Sequence, residues 1–409
     1  MEKSGTAQGN GRFLPLNGKK IVLGVCGSIA AYKAAHLASK LVQSGAQVDV
    51  ILTASAEQFV GKATFSALTH RPVTTSLWEA NSPLAIDHVS LALDADCVVV
   101  APATANTIAK LALGLSDDAL GATVLATSAP LVVAPAMDAN MFEHPAVQTN
   151  VRTLRERGAV MVGPGEGRLA SGLTGKGRME EPVNIVGIVR QVIGKNGDYA
   201  GRKVVVSAGG TQEPIDPVRV ITNRSSGKMG YAIAEAARDR GAEVVLVSGP
   251  TALANPGGVR VIPAQTVNEM RDAVLPESAD ADLLVMAAAI SDFSPASVAS
   301  EKIKKSSGSM SIELVKNEDW MPLATGPKLV KVSFAAETGD AANKARSKVA
   351  SKGAVFSVAN DVSEAGSGFG TDTNRVGFVD AAGNIEQMPL MDKLAVAHAI
   401  LDRALKHLK

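Results

Sequence analysis

The sequence has few aromatic residues and almost no cysteine, and both shortages limit what the chain can be. Aromatic residues make up 3% of the 409 residues, so Ala, Val, Leu and Ile must build the cores. The two cysteines, Cys26 and Cys97, lie far apart in apolar runs, without the CxxC spacing of a metal knuckle or a redox disulfide. We therefore expect two buried free thiols in a cytoplasmic protein.

The chain also lacks a strong charge and a long apolar run. Its formal net charge is +1, which gives no long-range field for attracting DNA, RNA or an anionic membrane. No apolar run approaches the ~18 residues that a bilayer requires, and residues 1–18 are small and polar. We expect no nucleic-acid or membrane partner, and a flexible tail over residues 1–18.

The length and the apolar pattern predict two α/β domains. A chain of 409 residues exceeds the usual size of one core, and short continuous apolar runs alternate with helical patterns, as in parallel sheets covered on both faces. Gly, Asn and charged residues interrupt the pattern after residue 193, so the domains are predicted at 19–193 and 202–409, with a linker at 194–201. The predicted strands are Lys20–Val25, Val48–Leu52, Cys97–Ala101, Leu131–Ala134, Lys203–Ser207, Glu243–Ser248, Leu283–Ala287 and Val330–Phe334.

Gly27 and Ser28 follow the first predicted strand and precede a helical pattern. Free backbone N–H groups at a helix N-terminus bind phosphate, and small residues allow the close approach. The spacing is not GxGxxG, the dinucleotide fingerprint, so an NAD-dependent dehydrogenase is disfavoured. Taken alone, the pair fits a phosphate site and a simple tight turn equally well.

Four segments together resemble the flavin-containing cysteine decarboxylases, in particular the phosphopantothenoylcysteine decarboxylases. They are Gly24–Lys33, Thr53–Ser55, Asp87–His88 and Ala101–Thr107. The resemblance implies a flavodoxin-like fold and a homo-oligomer that binds FMN between subunits. The flavin contacts that it implies are Gly27, Ser28, Thr53, Ser55, Thr104, Asn106 and Ser116.

Three further positions carry the catalytic roles that this resemblance implies. A lone histidine is more often structural than catalytic, but His88 stands where the family has its active-site base. Asp138 stands in Pro135–Phe142 where the family has an asparagine that handles the substrate carboxylate, and Ser171 replaces the family's cysteine in Leu169–Met179. An ionised Asp138 would repel that carboxylate, and a hydroxyl lacks the redox chemistry of a thiol. The paired change indicates a variant site.

In the second half, hydroxyl and glycine residues gather before a predicted helix. The segments Ser207–Arg219 and Ile221–Gly230 form a pattern typical of an anion-binding nest, although a structural loop would fit too, and the P-loop spacing is absent. They closely resemble the phosphopantothenate–cysteine ligases, which implies a second, Rossmann-like α/β domain. The resemblance gives Asn223 a role on the acyl-nucleotide intermediate, supported by Arg219.

Three later segments extend the resemblance to a CTP site: Ala288–Phe293, Glu301–Lys305 and Phe334–Thr338. A cluster of lysines is usually only a solvent-exposed face, but Lys302, Lys348 and Lys352 adjoin a nucleotide motif. Mg²⁺ is expected on the triphosphate, with Asp292 as its protein ligand. One departure is Asn317–Trp320, where the family favours Asn-Pro-Asp and an aliphatic residue. The implied CTP contacts are Ala289, Asp292, Lys302, Phe334, Lys348 and Lys352.

The combined reading is a bifunctional enzyme of coenzyme A biosynthesis. Its second domain is expected to couple 4′-phosphopantothenate with cysteine using CTP, and its first domain to decarboxylate the product with FMN. Two alternatives stay open at this stage. The first domain can be a flavin-binding module without catalysis beside an active ligase, or a regulatory flavin-binding module, for which the chain lacks a partner-binding tail.

Overall fold

The computed structural model describes residues 13–78, 87–304, 309–337, 346, 349–361, 363–364 and 366–408. The chain divides into two compact units, one over residues 14–193 and one from residue 194 onward. None of the helices described is long and apolar enough to cross a membrane.

The first unit is built on a parallel sheet. Its strands are β1 (Lys20–Val25), β2 (Gln47–Leu52), β3 (Val73–Thr74), β4 (Cys97–Ala103), β5 (Leu131–Pro135) and β6 (Val160–Met161). They lie in the order β3-β2-β1-β4-β5-β6, and every pairing is parallel. Without the two-residue edge strand β3, this is the flavodoxin order. The predicted parallel α/β class is confirmed.

Helices cover both faces of this sheet, and one hairpin extends from it. Helix α1 shows why, since Ala34, Leu37, Ala38 and Leu41 are buried at the spacing of one helical face. The hairpin strands, β7 (Gly165–Arg168) and β8 (Thr174–Arg178), pair antiparallel. The helices are α1 (Ala31–Gln43), α2 (Lys62–Thr69), α3 (Asp87–Asp94), α4 (Ala105–Leu113), α5 (Ala119–Ala126), α6 (Ala139–Glu143), α7 (Pro145–Glu156) and α8 (Pro182–Gly194).

The second unit repeats the architecture on a larger sheet. Its first strand has the burial pattern of a strand covered on both faces, because all of its residues after Lys203 are buried. The strands of the main sheet are β9 (Lys203–Ala208), β12 (Glu243–Ser248), β13 (Arg260–Pro263), β14 (Leu283–Met286), β17 (Val330–Glu337), β18 (Phe356–Asp361), β20 (Gly377–Asp380) and β21 (Ile385–Gln387). Their order is β13-β12-β9-β14-β17-β18-β20-β21.

Two-stranded sheets and helices complete the second unit. The short strands are β10 (Gln212–Pro214), β11 (Val220–Thr222), β15 (Phe293–Pro295), β16 (Leu314–Lys316), β19 (Thr373–Asn374) and β22 (Met391–Asp392). The helices described are α9 (Lys228–Asp239), α10 (Val267–Ser278) and α11 (Lys393–Leu405). The reversal of strand order lies between β9 and β14, where ligands bind in sheets of this kind.

The far edge of this sheet departs from the simple parallel pattern. Strand β18 pairs antiparallel with β20, and β20 pairs antiparallel with β21. The sequence pattern did not predict β20 and β21, because both strands are short. A tight turn at Gly383, with a φ of 83°, joins them in place of a crossover helix.

Candidate active sites

A cavity of about 690 Å³ lies at the carboxyl ends of β1, β2 and β4. This is the edge of a parallel sheet where loops and helix N-termini meet. Six of the seven predicted flavin contacts line it: Gly27, Ser28, Thr53, Ser55, Thr104 and Asn106. Among the residues described, Ser116 is not part of this lining, although its neighbour Asp117 is.

The hydroxyl groups of this cavity are held by backbone N–H donors. Ser28 Oγ accepts from the Ala30 N–H at 3.2 Å, and Thr53 Oγ1 accepts from the Ala56 N–H at 3.3 Å. Thr104 caps α4 and accepts from the Thr107 N–H at 3.3 Å. A hydroxyl that accepts such a bond keeps its own proton for a second partner. This donor set, beside a helix N-terminus, fits the phosphate and carbonyl oxygens of FMN.

Packing against Ser55 requires glycine at position 27, whether or not a ligand is bound. A Cβ atom at this position would lie 2.4 Å from Ser55 Cβ and 2.9 Å from Ser55 O. Only glycine therefore allows the loops after β1 and β2 to meet, which brings Ser28 and Ser55 into one cavity wall.

A second cavity, of about 550 Å³, adjoins the first and shares Ser28 and Met137 with it. It brings together the two variant positions. Asp138 lies at the start of α6 and accepts from the Asn140 N–H at 3.1 Å, while Ser171 lies in the turn of the β7–β8 hairpin. Ser171 Oγ donates to Asp138 Oδ2 at 2.5 Å. The two side chains form one unit at the cavity wall.

Three cationic side chains in this second cavity were missed by the sequence reasoning. Arg168 and Arg178 come from the hairpin strands, and Lys33 comes from α1. Lys33 is 9% exposed; its Nζ donates to Met179 O at 3.1 Å and to Glu181 Oε1 at 2.6 Å. Lys33 could have been identified from the sequence, because it lies four residues before Leu37 on the buried face of an amphipathic helix.

His88 lies in α3 and is partly buried. Within the described part of the chain, it lines neither of the two cavities. Its role as the active-site base therefore stays a prediction.

Neither cysteine is available for chemistry in this structure. Both are buried and free, as the sequence predicted. Burial raises the pKa of the Cys26 thiol to about 11 and that of the Cys97 thiol to about 12. Neither supplies a thiolate near pH 7, so Ser171 has no nearby cysteine substitute of that kind.

The second unit contains a cavity of about 780 Å³ whose lining includes residues from the carboxyl-terminal halves of β14, β17 and β18. The segment Ser225–Gly230, which leads into α9, lines one part of it, and Gly227 there has a φ of 78°. Successive backbone N–H groups at such a point form an anion-binding nest. Five predicted ligase residues lie together in the lining: Asn223, Ala289, Asp292, Phe334 and Lys352.

Asn223 is held by the loop after β14. Its Nδ2 donates to Ala289 O at 3.1 Å and to Ile290 O at 3.3 Å. These two bonds fix the orientation of the amide. The Oδ1 atom is thereby left to accept from a ligand at the cavity wall.

Arg219 and Lys302 lie in another network and are not among the described residues that line this cavity. Arg219 binds the carboxylate of Asp216 through Nε at 2.9 Å and a terminal nitrogen at 2.5 Å, and also donates to Ile303 O at 3.1 Å. The guanidinium holds the pKa of Asp216 well below its ordinary value. Arg219 thus anchors the segment that carries Lys302. Lys348 lies outside the described residues.

No group of three or more His, Cys, Asp or Glu side chains among the residues described could hold a metal ion. Asp292 is exposed and lines the ligase cavity, as do Glu318 and Asp319 from another segment. Mg²⁺ is commonly held by one or two carboxylates together with substrate phosphates, so Asp292 fits an ion that enters with a triphosphate.

Two lysines of this cavity fasten a glycine-rich loop. Lys393 Nζ donates to Gly368 O at 3.1 Å and to Thr371 O, and Lys228 Nζ donates to Gly370 O at 2.8 Å. Burial, together with the nearby charge of Lys228, lowers the pKa of Lys393 to about 8. The sequence analysis missed Lys393, because nothing in its local pattern distinguishes it from a surface lysine.

Comparison with known proteins accounts for both units. Residues 14–194 match the Flavoprotein family, and residues 199–408 match the DNA/pantothenate metabolism flavoprotein C-terminal domain. The coenzyme A biosynthesis bifunctional protein CoaBC of Bacillus subtilis is 46% identical over 391 residues, which cover 94% of this chain and 96% of the relative. The chain belongs to the CoaBC family.

Other CoaBC relatives match over the same extent. The protein of Mycobacterium tuberculosis is 44% identical over 402 residues, covering 94% of this chain and 96% of the relative. Among solved structures, the C-terminal domain of a CoaBC is 35% identical and covers 51% of this chain and 97% of its own, with a TM-score of 0.44. Membership of the CoaBC family confirms the predicted class, a bifunctional enzyme of coenzyme A biosynthesis with decarboxylase and ligase roles.

Proposed function

We propose that the second unit joins 4′-phosphopantothenate to cysteine with CTP, and that the first unit decarboxylates the product to 4′-phosphopantetheine with FMN. The observation that carries this proposal is the common cavity of Asn223, Ala289, Asp292, Phe334 and Lys352. These residues are distant in sequence, and the resemblance implies for each a contact with the nucleotide or with the acyl-nucleotide intermediate.

The ligase reaction divides into two substitutions. The carboxylate of phosphopantothenate attacks the α-phosphate of CTP, which forms an acyl-cytidylate and releases pyrophosphate. The amine of cysteine then attacks the acyl carbon and CMP leaves. Asn223, whose amide donates to Ala289 O, would contact the acyl-cytidylate, and the nest at Gly227 would offer backbone N–H groups to phosphate oxygens.

Charge on the leaving pyrophosphate has to be offset, and the cavity contains the means. Lys352 lines it, and Asp292 is placed to share Mg²⁺ with the phosphates. Lys302 would join them through the segment that Arg219 anchors, and Lys348 stays a further predicted contact.

In the first unit, FMN would be held by Ser28, Thr53, Ser55, Thr104 and Asn106, with Gly27 allowing the loops to close. When bound, FMN supplies reversible two-electron chemistry. The net decarboxylation exchanges CO₂ for a proton on the product carbon, so the site must also deliver a proton. His88 is the proposed base, and the predicted Ser116 contact belongs to the same proposal.

The Ser171–Asp138 pair is the proposed source of that proton. Its two oxygen atoms lie 2.5 Å apart and share one hydrogen at the wall of the second cavity. Arg168 and Arg178 line the same cavity and can hold an anionic substrate. The pair thus takes the position of the asparagine and cysteine expected from the resemblance.

We also propose a cytoplasmic homo-oligomer in which the flavin lies between subunits. Ile29 and Tyr32, which line the second cavity, are each 64% exposed. Large apolar side chains at the rim of a ligand cavity favour coverage by a second copy. The two buried free thiols fit a reducing compartment.

The test is mass analysis of the products formed from 4′-phosphopantothenate, cysteine, CTP and Mg²⁺. Phosphopantetheine and CMP are the expected products, and Asn223→Asp should stop the reaction before phosphopantothenoylcysteine. Formation of product with ATP but not with CTP would contradict the nucleotide assignment.

A second candidate is an active ligase beside a flavin-binding domain that does not decarboxylate. The observation that favours it is the hydroxyl of Ser171 in place of a thiol, with both cysteines buried elsewhere. Accumulation of phosphopantothenoylcysteine without CO₂ release from the flavin-loaded protein would establish this candidate.

A further inference from the structure

Ser291 has a hydroxyl group without a hydrogen-bond partner, in a loop that is otherwise fully tied. The residue is 5% exposed and follows β14. Its backbone is bound on both sides, because the Ser291 N–H donates to Thr211 Oγ1 at 3.0 Å and Asn317 Nδ2 donates to Ser291 O at 2.9 Å. Within the described part of the chain, no group lies in hydrogen-bond range of Ser291 Oγ. The hydroxyl is therefore held in place and keeps its hydrogen for another partner.

This hydroxyl is open to the ligase cavity, whose lining includes Ser291. The polar atoms that are both fully enclosed and without a partner include Ser333 Oγ, in the neighbouring strand β17, but not Ser291 Oγ. Both serines thus have an unpaired hydroxyl among the described residues, and only that of Ser291 can be reached by a ligand. A buried polar group without a partner is costly, so a ligand that supplies the partner gains affinity there.

The place of Ser291 in its loop indicates which ligand it meets. Asn223, the residue proposed to contact the acyl-cytidylate, donates to Ala289 O and Ile290 O. Ser291 is the next residue of that loop. Phosphate groups need cations or several N–H donors, which the nest at Gly227 offers from a different segment of the lining. A single neutral hydroxyl suits one carboxylate oxygen, and a hydrogen bond to an ionised acceptor is among the stronger ones.

We propose that Ser291 is a specificity-determining residue of ligation, whose hydroxyl donates to the carboxylate of 4′-phosphopantothenate. This inference rests on the proposed function of the second unit. The acceptor is the oxygen that stays on the carbon as the acyl carbonyl, while the other oxygen attacks the α-phosphate of CTP. Ser291 thereby favours an acid as the acyl substrate and orients its attacking oxygen.

Ser291→Ala removes only the hydroxyl. We expect the KM for 4′-phosphopantothenate to rise about tenfold, the loss of one hydrogen bond to a charged group. The KM values for CTP and cysteine should stay within twofold of wild type. Ser291→Cys has a similar size but a weak donor, so it should behave like Ser291→Ala. A phosphopantothenate KM within twofold of wild type in Ser291→Ala, or an equal rise in the KM for CTP, overturns the proposal.

Ser333→Ala is the matched control, because it removes an unpaired hydroxyl that no ligand reaches. Among the described residues, Ser333 is not part of the cavity lining, although its neighbour Phe334 is. This variant should leave all three KM values unchanged. A rise in the phosphopantothenate KM equal to that of Ser291→Ala would mean that any cavity in this sheet has the same effect, and would overturn the proposal.

A substrate analogue identifies the group that Ser291 contacts. In 4′-phosphopantothenol a CH₂OH group replaces the carboxylate, so the analogue competes with 4′-phosphopantothenate without offering a charged oxygen. Its inhibition constant should agree within twofold between the wild type and Ser291→Ala, whereas the KM of the acid differs about tenfold. An inhibition constant that rises tenfold in the variant would place Ser291 on another part of the substrate and overturn the proposal.

Thermal unfolding separates a ligand contact from a structural role. Because the hydroxyl has no partner among the described residues, Ser291→Ala without ligand should unfold at or above the wild-type temperature. A lower unfolding temperature would reveal a structural partner and overturn the proposal. Wild-type protein that makes no phosphopantothenoylcysteine with CTP refutes the proposed function itself. Product formation with an unaffected Ser291→Ala refutes only this inference.

Discussion

Ser171 donates a hydrogen bond of 2.5 Å to Asp138, although 33 residues separate them in the sequence. Both positions depart from the residues expected in the resembled decarboxylases. Because they are direct partners in space, one change without the other would leave a carboxylate or a hydroxyl without its contact. The structure therefore supports the interpretation of a paired, variant site.

Removing the hydroxyl tests whether the pair supplies a proton. Ser171→Ala should lower phosphopantetheine formation by about a hundredfold, the lower range for a general acid, because the product carbon accepts its proton only after CO₂ has left. Ligation in the same protein should be unchanged, because Ser171 lies in the first unit. Ser171→Cys restores the family's thiol and should retain or exceed the wild-type rate. Wild-type phosphopantetheine formation by the alanine variant would exclude Ser171 from proton delivery.

A double-mutant cycle tests whether the two residues act as one. Residues in direct contact show coupling, so the losses of Asp138→Asn and Ser171→Ala in the rate of phosphopantetheine formation should not add. The double variant should be little slower than the slower single variant. Additive losses would mean that the two side chains serve separate steps.

Lys33 is predicted to hold the base of the β7–β8 hairpin. Lys33→Met leaves Met179 O without its donor, at a cost of about 1–3 kcal/mol, and should lower the temperature at which flavin is released. Glu181→Gln is the matched control, because the Glu181 side chain is 56% exposed and its ion pair contributes at most ~1 kcal/mol. If Lys33→Met and Glu181→Gln lower the temperature of flavin release equally, the bond from Lys33 to Met179 O is not the more important of the two contacts.

Arg219 is predicted to act on ligation through the segment that carries Lys302. Arg219→Ala should raise the KM for CTP about tenfold, the loss of about one hydrogen bond to the segment, because it removes the contact to Ile303 O and leaves only the bond from the Ile303 N–H to Asp216. Arg219→Lys should not restore the wild-type KM for CTP, since an ammonium group cannot reproduce the two-point contact with Asp216. Full rescue by lysine would indicate that only the charge matters, and CO₂ release from added phosphopantothenoylcysteine serves as the internal control.

Ligands of a parallel α/β sheet bind at the carboxyl ends of its strands, and this rule explains how much of the site the sequence could predict. Gly27, Thr53 and Thr104 each follow an apolar strand, so a parallel sheet must bring them to one edge, and it does. Ser116 and His88 follow no strand end, and they are not among the described residues of the cavity lining.

Residues whose roles depend on tertiary burial escaped prediction. The local sequence predicts that Lys33 and Lys393 are surface lysines. In the structure each is below 10% exposed and donates to backbone carbonyls distant in sequence. Trp320 differs from the residue that the resemblance favours, but nothing in the local sequence indicates that its indole is buried. Its burial beside Met321 and Val349 arises from tertiary packing that the local pattern does not reveal.

The pKa of Lys393 gives a pH dependence of stability with a definite sign. Its pKa falls from an ordinary 10.5 to about 8 on folding, so between these values the unfolded chain binds more protons. Stability contributed at this position is therefore lowest below about pH 8 and rises as the pH increases toward 10.5. Relative to Lys393→Met, the wild-type free energy of unfolding should gain on the order of 1–3 kcal/mol between pH 7.5 and 10. Denaturant unfolding of both proteins at these two pH values checks this, and a constant difference would mean that Lys393 remains charged throughout.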